Sequence, residues 1–174
     1  IAGSGPNGAI VHYRATKKSN KIIKKNDIFL CDSGGQYKFG TTDVTRTICF
    51  SKQSNDIKNN FTRVLKGHIA VATSNLSKNK TGKLIDKNAR KHLKKVGLDY
   101  AHGTGHGVGF FLNVHEGPQS ISKYNNVTLK EGMILSNEPG FYKEKHFGIR
   151  IENLIYISKV KKDLIFKNLT FAPI

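Results

Sequence analysis

No stretch of about 18 consecutive apolar residues occurs in the 174-residue chain, so it offers no membrane-spanning helix, and no basic-then-apolar leader argues for secretion. No low-complexity segment divides it, and 37% hydrophobic residues over this length suffice for one domain with a sizeable core. Cysteine is scarce: Cys31 and Cys49 read as reduced core residues, which suits an intracellular, cytoplasmic setting. Acids are also scarce, 12 against 29 lysines and arginines, for a formal net charge of +17. Such a surplus points first to nucleic acid or an anionic surface. The lysines, however, are scattered through polar loops and helix faces without interleaved aromatics, so they read as a solvated surface.

Where acids are few, their positions carry information. Residues 27–50, DIFLCDSGGQYKFGTTDVTRTICF, read as two apolar strands joined by a glycine-rich bend, each with one acid in an apolar row, Asp32 and Asp43. With Asp32 opposite Asp43 the bend falls at Tyr37-Lys38, and both carboxylates leave one face of the hairpin about 5 Å apart. That register sets Cys31 against Val44 and Cys49 against Asn26, too far apart to bridge. Two anions so close must share a proton or take a cation. Two surface acids on an edge hairpin are the alternative. Against it stands a second copy of the device, because Glu138 in SNEPGFY and Glu152 in GIRIENLIYI bracket a bend at about Lys145.

The intervening chain supplies the frame. Residues 8–15, GAIVHYRA, predict a short strand with His12 packed among apolar neighbours. Residues 54–76 predict a helix capped by Ser54 or Asp56, with Ile57, Phe61, Val64, Leu65, Ile69 and Ala72 on its inner face and His68 as a structural neighbour. A second helix is expected over 82–96, with Leu84, Ile85, Ala89, Leu93 and Val96 inward, Gly97 as its stop and no role for His92. From Leu98 the pattern is strands and loops. The order predicts an α+β domain whose helices cover one face of an antiparallel sheet.

Residues 100–118, YAHGTGHGVGFFLNVHEGP, hold His102, His106 and His115. Four glycines between positions 103 and 109 oppose a helix, which removes the helical metalloprotease pair. A phosphate loop would need a lysine and a strand-to-helix context, both missing here. Alternate glycines suit a backbone that runs close to other atoms at a crowded site. Four carboxylates and one imidazole match the needs of two divalent ions about 3.5 Å apart with a bridging hydroxide as nucleophile. Oxygen-rich ligation favours manganese, cobalt or zinc.

The segments DSGGQYKFGTTDVTRT, HGTGHGVGFFLNVHEGP, NEPGFY and FGIRIEN, in this order and spacing, resemble aminopeptidase P, the Xaa-Pro aminopeptidases of the pita-bread metallopeptidase group, in its intracellular eukaryotic form. The resemblance runs from SGPNGAIVHY to NLTFAPI. It implies a pita-bread α+β fold, metal ligands Asp32, Asp43, His106, Glu138 and Glu152, and two divalent ions, manganese first. It places His12, His102 and His115 around the substrate, Arg150 as a charge partner beside Glu152, and Tyr142 near the metals. The implied reaction removes the N-terminal residue from peptides with proline second. Glu138 passes the proton, His115 helps hold the oxyanion, the peptide amine binds near Asp32, and His102 and His12 shape the proline side.

Prolidase shares the fold and the ligands and is the nearest alternative, as an Xaa-Pro dipeptidase. Pita-bread proteins that bind nucleic acid or histones lack part of the ligand set, whereas all five residues stand here, so no nucleic-acid partner is expected; nor is a membrane partner, for want of a long apolar run. Family members carry N-terminal non-catalytic domains, helices before the first strand and a C-terminal extension. Residues 1–174 are therefore expected to be the C-terminal catalytic domain truncated at both ends, drawn from a homodimeric protein.

Overall fold

Apolar residues alternating on either side of a glycine-rich bend make the hairpin at the centre of the structure, a computed structural model that describes residues 1–78, 80–111 and 113–174. Strand β1 (Ala2–Ser4) leads through a 3-10 turn (Gly5–Ala9) and a long loop to β2 (Ile28–Tyr37) and β3 (Gly40–Cys49), which form an antiparallel sheet in the order β1-β2-β3. The bend is Lys38-Phe39, one residue beyond its expected place. Asp32 therefore faces Thr45, and Asp43 faces Gly34. This pairing avoids two like charges directly opposite each other, and because the shift is even, both carboxylates still leave the same face as diagonal neighbours. Cys31 pairs with Arg46 and Cys49 with Ile28, correcting the expected partners. Both thiols are free, but Cys49 is exposed rather than part of the core.

The strand expected over 8–15 does not form. Gly8 and Ala9 finish the 3-10 turn and the rest is turn and irregular backbone, held where Asn7 Nδ2 and Tyr13 Oη both donate to the Ser19 carbonyl. His12 is consequently exposed instead of packed.

Helix α1 (Asn55–Ala72) is capped by Ser54, whose hydroxyl accepts from the Ile57 N–H. Helix α2 (Gly82–Lys94) stops short of Val96, and Gly97 takes the left-handed conformation that ends it, with φ 72°. The helices meet at Gly67, where a side chain would overlap the Ala89 carbonyl. This contact centres the buried face of α1 on Val64, Gly67, His68 and Val71, leaving Ile69 and Ala72 outside. On α2, Ile85, Ala89 and Leu93 are buried as expected, whereas Leu84 and Val96 are exposed. No described helix is long and apolar enough to cross a membrane.

The remainder is antiparallel: β4 (Gly105–His106), β5 (Ser120–Ile121), β6 (Ile134–Asn137), β7 (Gly140–Lys143), β8 (Phe147–Arg150), β9 (Asn153–Val160) and β10 (Asp163–Asn168). The described residues form four small sheets rather than the single one expected. The β7–β8 and β6–β9 ladders keep one register about the bend at Lys145, which has φ 61°. Between the two ladders lie Glu138-Pro139 on one strand and Ile151-Glu152 on the other. One apolar cluster joins Val71, Ile85, Leu135 and Ile155 on one side of this gap. A second joins Val64, Leu93, Phe141 and Ile149 on the other. Both helices reach both clusters, so the seam between them, where the two glutamates sit, is fixed from outside.

Candidate metal centre

Each carboxylate reaches the site because its strand is tied to another. β3 lies along the seam: the Glu152 N–H donates to the Thr45 carbonyl (3.0 Å), and Arg46 Nη1 donates to the Glu152 carbonyl (2.6 Å). Asp43 and Asp32 on the hairpin face are thereby brought to Glu152. His106 arrives from β4, where its N–H donates to Ser136 Oγ (2.9 Å), and Ser136 in turn donates to Glu138 Oε1 (2.9 Å). Gly105 and Gly107 permit this approach, since a methyl group on either would overlap the carbonyl of Ser136 or Glu116. The alternating glycines thus mark a crowded backbone, as the sequence indicated.

All five expected ligands line one cavity of about 560 Å³. Three overlapping sets have donor atoms within 4.8 Å of one another: Asp32, Asp43 and Glu152; His106, Glu138 and Glu152; and Asp43, His106 and His115. Glu152, Asp43 and His106 each belong to two of the three sets, so the five expected ligands form one continuous cluster. Like charges 4.8 Å apart repel by about 3 kcal/mol per pair at an effective dielectric near 20. Arg150, 2.7 Å from Asp32, offsets part of the repulsion among Asp32, Asp43 and Glu152, and what remains favours a further cation at the group.

The electrostatics agree. Burial, then Glu138 and Asp43, drive the Glu152 carboxyl well above its ordinary range, and burial pushes Glu138 up to about 7 against the pull of His106. His106 donates from Nδ1 to the Gly107 carbonyl (2.9 Å), so its Nε2 points at Asp43 Oδ2 and Glu138 Oε1, 3.4 Å from each. Burial works against a proton on this ring, but Asp43 and Glu138 outweigh it and raise the pKa. An imidazole locked by a backbone carbonyl with its free nitrogen among carboxylates is a ligand-ready arrangement, and this donor set fits hard divalent cations.

His12, His102 and His115 line the same cavity, with Arg150 on its wall. His115 is exposed and lies beside His106, 4.0 Å between ring centroids with the planes tilted by 50°; burial and the neighbouring His106 charge lower its pKa. His102 is neutral, its pKa taken to about 4 chiefly by burial. Its Nδ1 donates to the Gly103 carbonyl (2.7 Å) and its Nε2 accepts from the Tyr142 hydroxyl (2.8 Å). Both nitrogens being engaged, His102 forms a wall rather than a free donor. Burial raises Tyr142 to about 12.

Arg150 differs from expectation in its partner. Its Nη2 binds Asp32 Oδ2 (2.7 Å), Nη1 donates to Tyr142 (2.7 Å) and Nε donates to Thr45 Oγ1 (3.2 Å). The Glu152 carboxylate is instead held by Thr45, whose hydroxyl donates to Oε2 (2.6 Å). The arginine has three anchors in one plane, and Asp32 is the only charged one.

Thr45, Ser136, Asp86 and Arg90 were not singled out in the sequence. Asp86 and Arg90 carried a readable signal, opposite charges at i and i+4 between Ile85, Ala89 and Leu93 on an inward face. Thr45 and Ser136 carried none.

An oxygen-rich, partly buried donor cluster at the seam of an α+β domain, whose described strands all pair antiparallel, defines a candidate metal-binding protein. The chain belongs to metallopeptidase family M24, whose profile matches residues 1–159, and its fold is the pita-bread fold. A Laccaria bicolor protein named probable Xaa-Pro aminopeptidase P is 51% identical, covering 100% of this chain and 29% of its own length. The X-prolyl aminopeptidase of Caenorhabditis elegans, described as a cytosolic enzyme with a di-nuclear active site, superposes with a TM-score of 0.91 at 40% identity, over 100% of this chain and 30% of that one. Prolidase from Pyrococcus furiosus superposes with a TM-score of 0.86 at 31% identity, over 99% and 49%. The chain spans less than a third of the length of the curated relatives it matches.

Proposed function

We propose that this chain is the catalytic part of a cytoplasmic Xaa-Pro aminopeptidase that removes the N-terminal residue from peptides with proline in second place. The observation carrying this reading is the convergence of Asp32, Asp43, His106, Glu138 and Glu152 on one cavity, in a chain 51% identical to a relative named for that activity. These residues would hold two divalent cations, manganese first. Bound cations supply Lewis acidity and lower the pKa of water enough to make it a nucleophile near neutral pH.

The chain's own groups account for the remaining steps. Glu138 takes a proton at its carboxylate from the attacking water and returns it to the departing proline nitrogen. His115, which lines the cavity, donates an N–H to the scissile carbonyl oxygen as charge develops there. Asp32, oriented by Arg150, receives the peptide's free amino group, which limits removal to one residue. His102 and His12 bound the proline side of the cavity.

The test is hydrolysis by the full-length protein of an Xaa-Pro-Yaa tripeptide against an Xaa-Pro dipeptide, before and after manganese is restored to chelator-treated enzyme. Metal-dependent cleavage of the tripeptide is expected. Preference for the dipeptide would make it a prolidase, and cleavage of neither would overturn the peptidase reading.

A further inference from the structure

Behind the histidine segment lies a buried polar network that none of the roles above employs. Asp86 and Arg90 stand one turn apart on α2, 2% and 4% exposed. Arg90 Nε donates to Asp86 Oδ2 (2.8 Å), and Nη1 donates to Asp99 Oδ1 (2.8 Å) and the Tyr100 carbonyl (2.6 Å). Nη2 donates to the His102 carbonyl (2.6 Å), while the guanidinium lies 4.0 Å from the Tyr100 ring centroid. The other Asp86 oxygen accepts from Thr104 Oγ1 (2.6 Å), and the Thr104 carbonyl accepts the N–H of Glu138 (2.8 Å).

A buried arginine that spends its fork on two carbonyls of one loop, those of Tyr100 and His102, fixes backbone position to within a hydrogen bond's tolerance. The fixed loop carries His102, whose ring holds Tyr142, which holds Arg150, which holds Asp32. Its other end holds the backbone of Glu138. The two halves of the cavity, separated in sequence by more than a hundred positions, therefore meet one helix-borne ion pair.

We infer that Arg90, seated on Asp86, is a positioning residue that sets His102, and through it the Tyr142–Arg150–Asp32 line, against the carboxylate cluster. The role deepens the peptidase reading and rests on it. Lysine at position 90 keeps the charge and the Asp86 contact but cannot reach both carbonyls.

The experiment uses full-length, manganese-loaded protein as wild type, Arg90→Lys, His102→Ala and the double variant. Arg90→Lys is expected to lower kcat at least tenfold with bound manganese unchanged, and to change activity less than twofold once His102 is alanine, since the effect passes through that ring. Equal losses in both backgrounds, or no loss, would overturn the inference. Histidine-selective 15N spectra, with His102 assigned from its alanine variant, read the same point without turnover. Arg90→Lys should shift the His102 nitrogens away from the Nδ1-protonated pattern, and unchanged shifts would overturn the inference even if wild type cleaves no Xaa-Pro peptide. Should Arg90→Lys not fold, Thr104→Val removes the strut from its other end, with the same expected and contrary results.

Discussion

Glu152 is as deeply buried as the isoleucine before it, 2% against 1% exposed, and a carboxylate in that position must be neutralised by something. Such residues were legible in the sequence as acids out of place in apolar rows. Their supports were not. The resemblance implied Arg150 as the charge partner of Glu152, but the partners of both residues, Thr45 for Glu152 and Asp32 for Arg150, arrive from more than a hundred positions away. His68 shows the same limit: its buried ring donates from Nδ1 to the Ile151 carbonyl while its own carbonyl accepts from Asn137 Nδ2, so one residue of α1 braces the neighbours of both glutamates. Burial takes its pKa from 6.5 to about 4. A folded-state pKa below the unfolded one means that the unfolded chain binds the extra proton between those values, so stability is full above 6.5 and falls as pH drops toward 4. Between pH 7 and pH 5 the loss from this group is about 2 kcal/mol. Urea unfolding at the two pH values should show His68→Gln losing less than wild type by that amount, and equal losses would contradict the assignment.

At the scale of elements, the helix ends and the second bend were readable, whereas the strand over 8–15 and the register of the first hairpin were not. Ser54 and Gly97 announced the ends of the helical region because caps act locally. The bend at Lys145 was placed because Glu138 and Glu152 are symmetric about it. The first hairpin was set two pairing steps off, since either register keeps the acids on one face and only the cross-strand neighbours choose between them. The strand expected over 8–15 gave way to a turn that Gly5, Pro6 and Gly8 favour over its apolar residues. Glycine carries the sharper test. Gly105 has the Ser136 carbonyl against it and Gly40 has open space. Gly105→Ala should destabilise the protein by at least about 2 kcal/mol, whereas Gly40→Ala should stay within about 0.5 kcal/mol. Similar unfolding midpoints for the two variants would contradict the crowding at β4.

For the whole molecule, the contrast is between a strongly basic surface and an acidic interior. Four of the twelve acids meet in one cavity of a chain whose net charge is +17. The architecture explains how: two hairpins of unrelated sequence present their acids to a common seam, and the helices clamp the seam through both apolar clusters. Fold class was legible because periodicity and glycine spacing act over a few residues. The meeting of the hairpins was suggested by the repeated pair of acids and specified residue by residue through the resemblance, since nothing local brings residue 43 to residue 152. Metal content of the full-length protein, measured by plasma mass spectrometry after loading with manganese and desalting, tests that meeting most directly. About two ions per chain are expected for wild type and for Asp163→Asn, falling to one or none for Glu152→Gln. Metal retained in full by Glu152→Gln, or no metal in wild type, would contradict a shared cation centre at the seam.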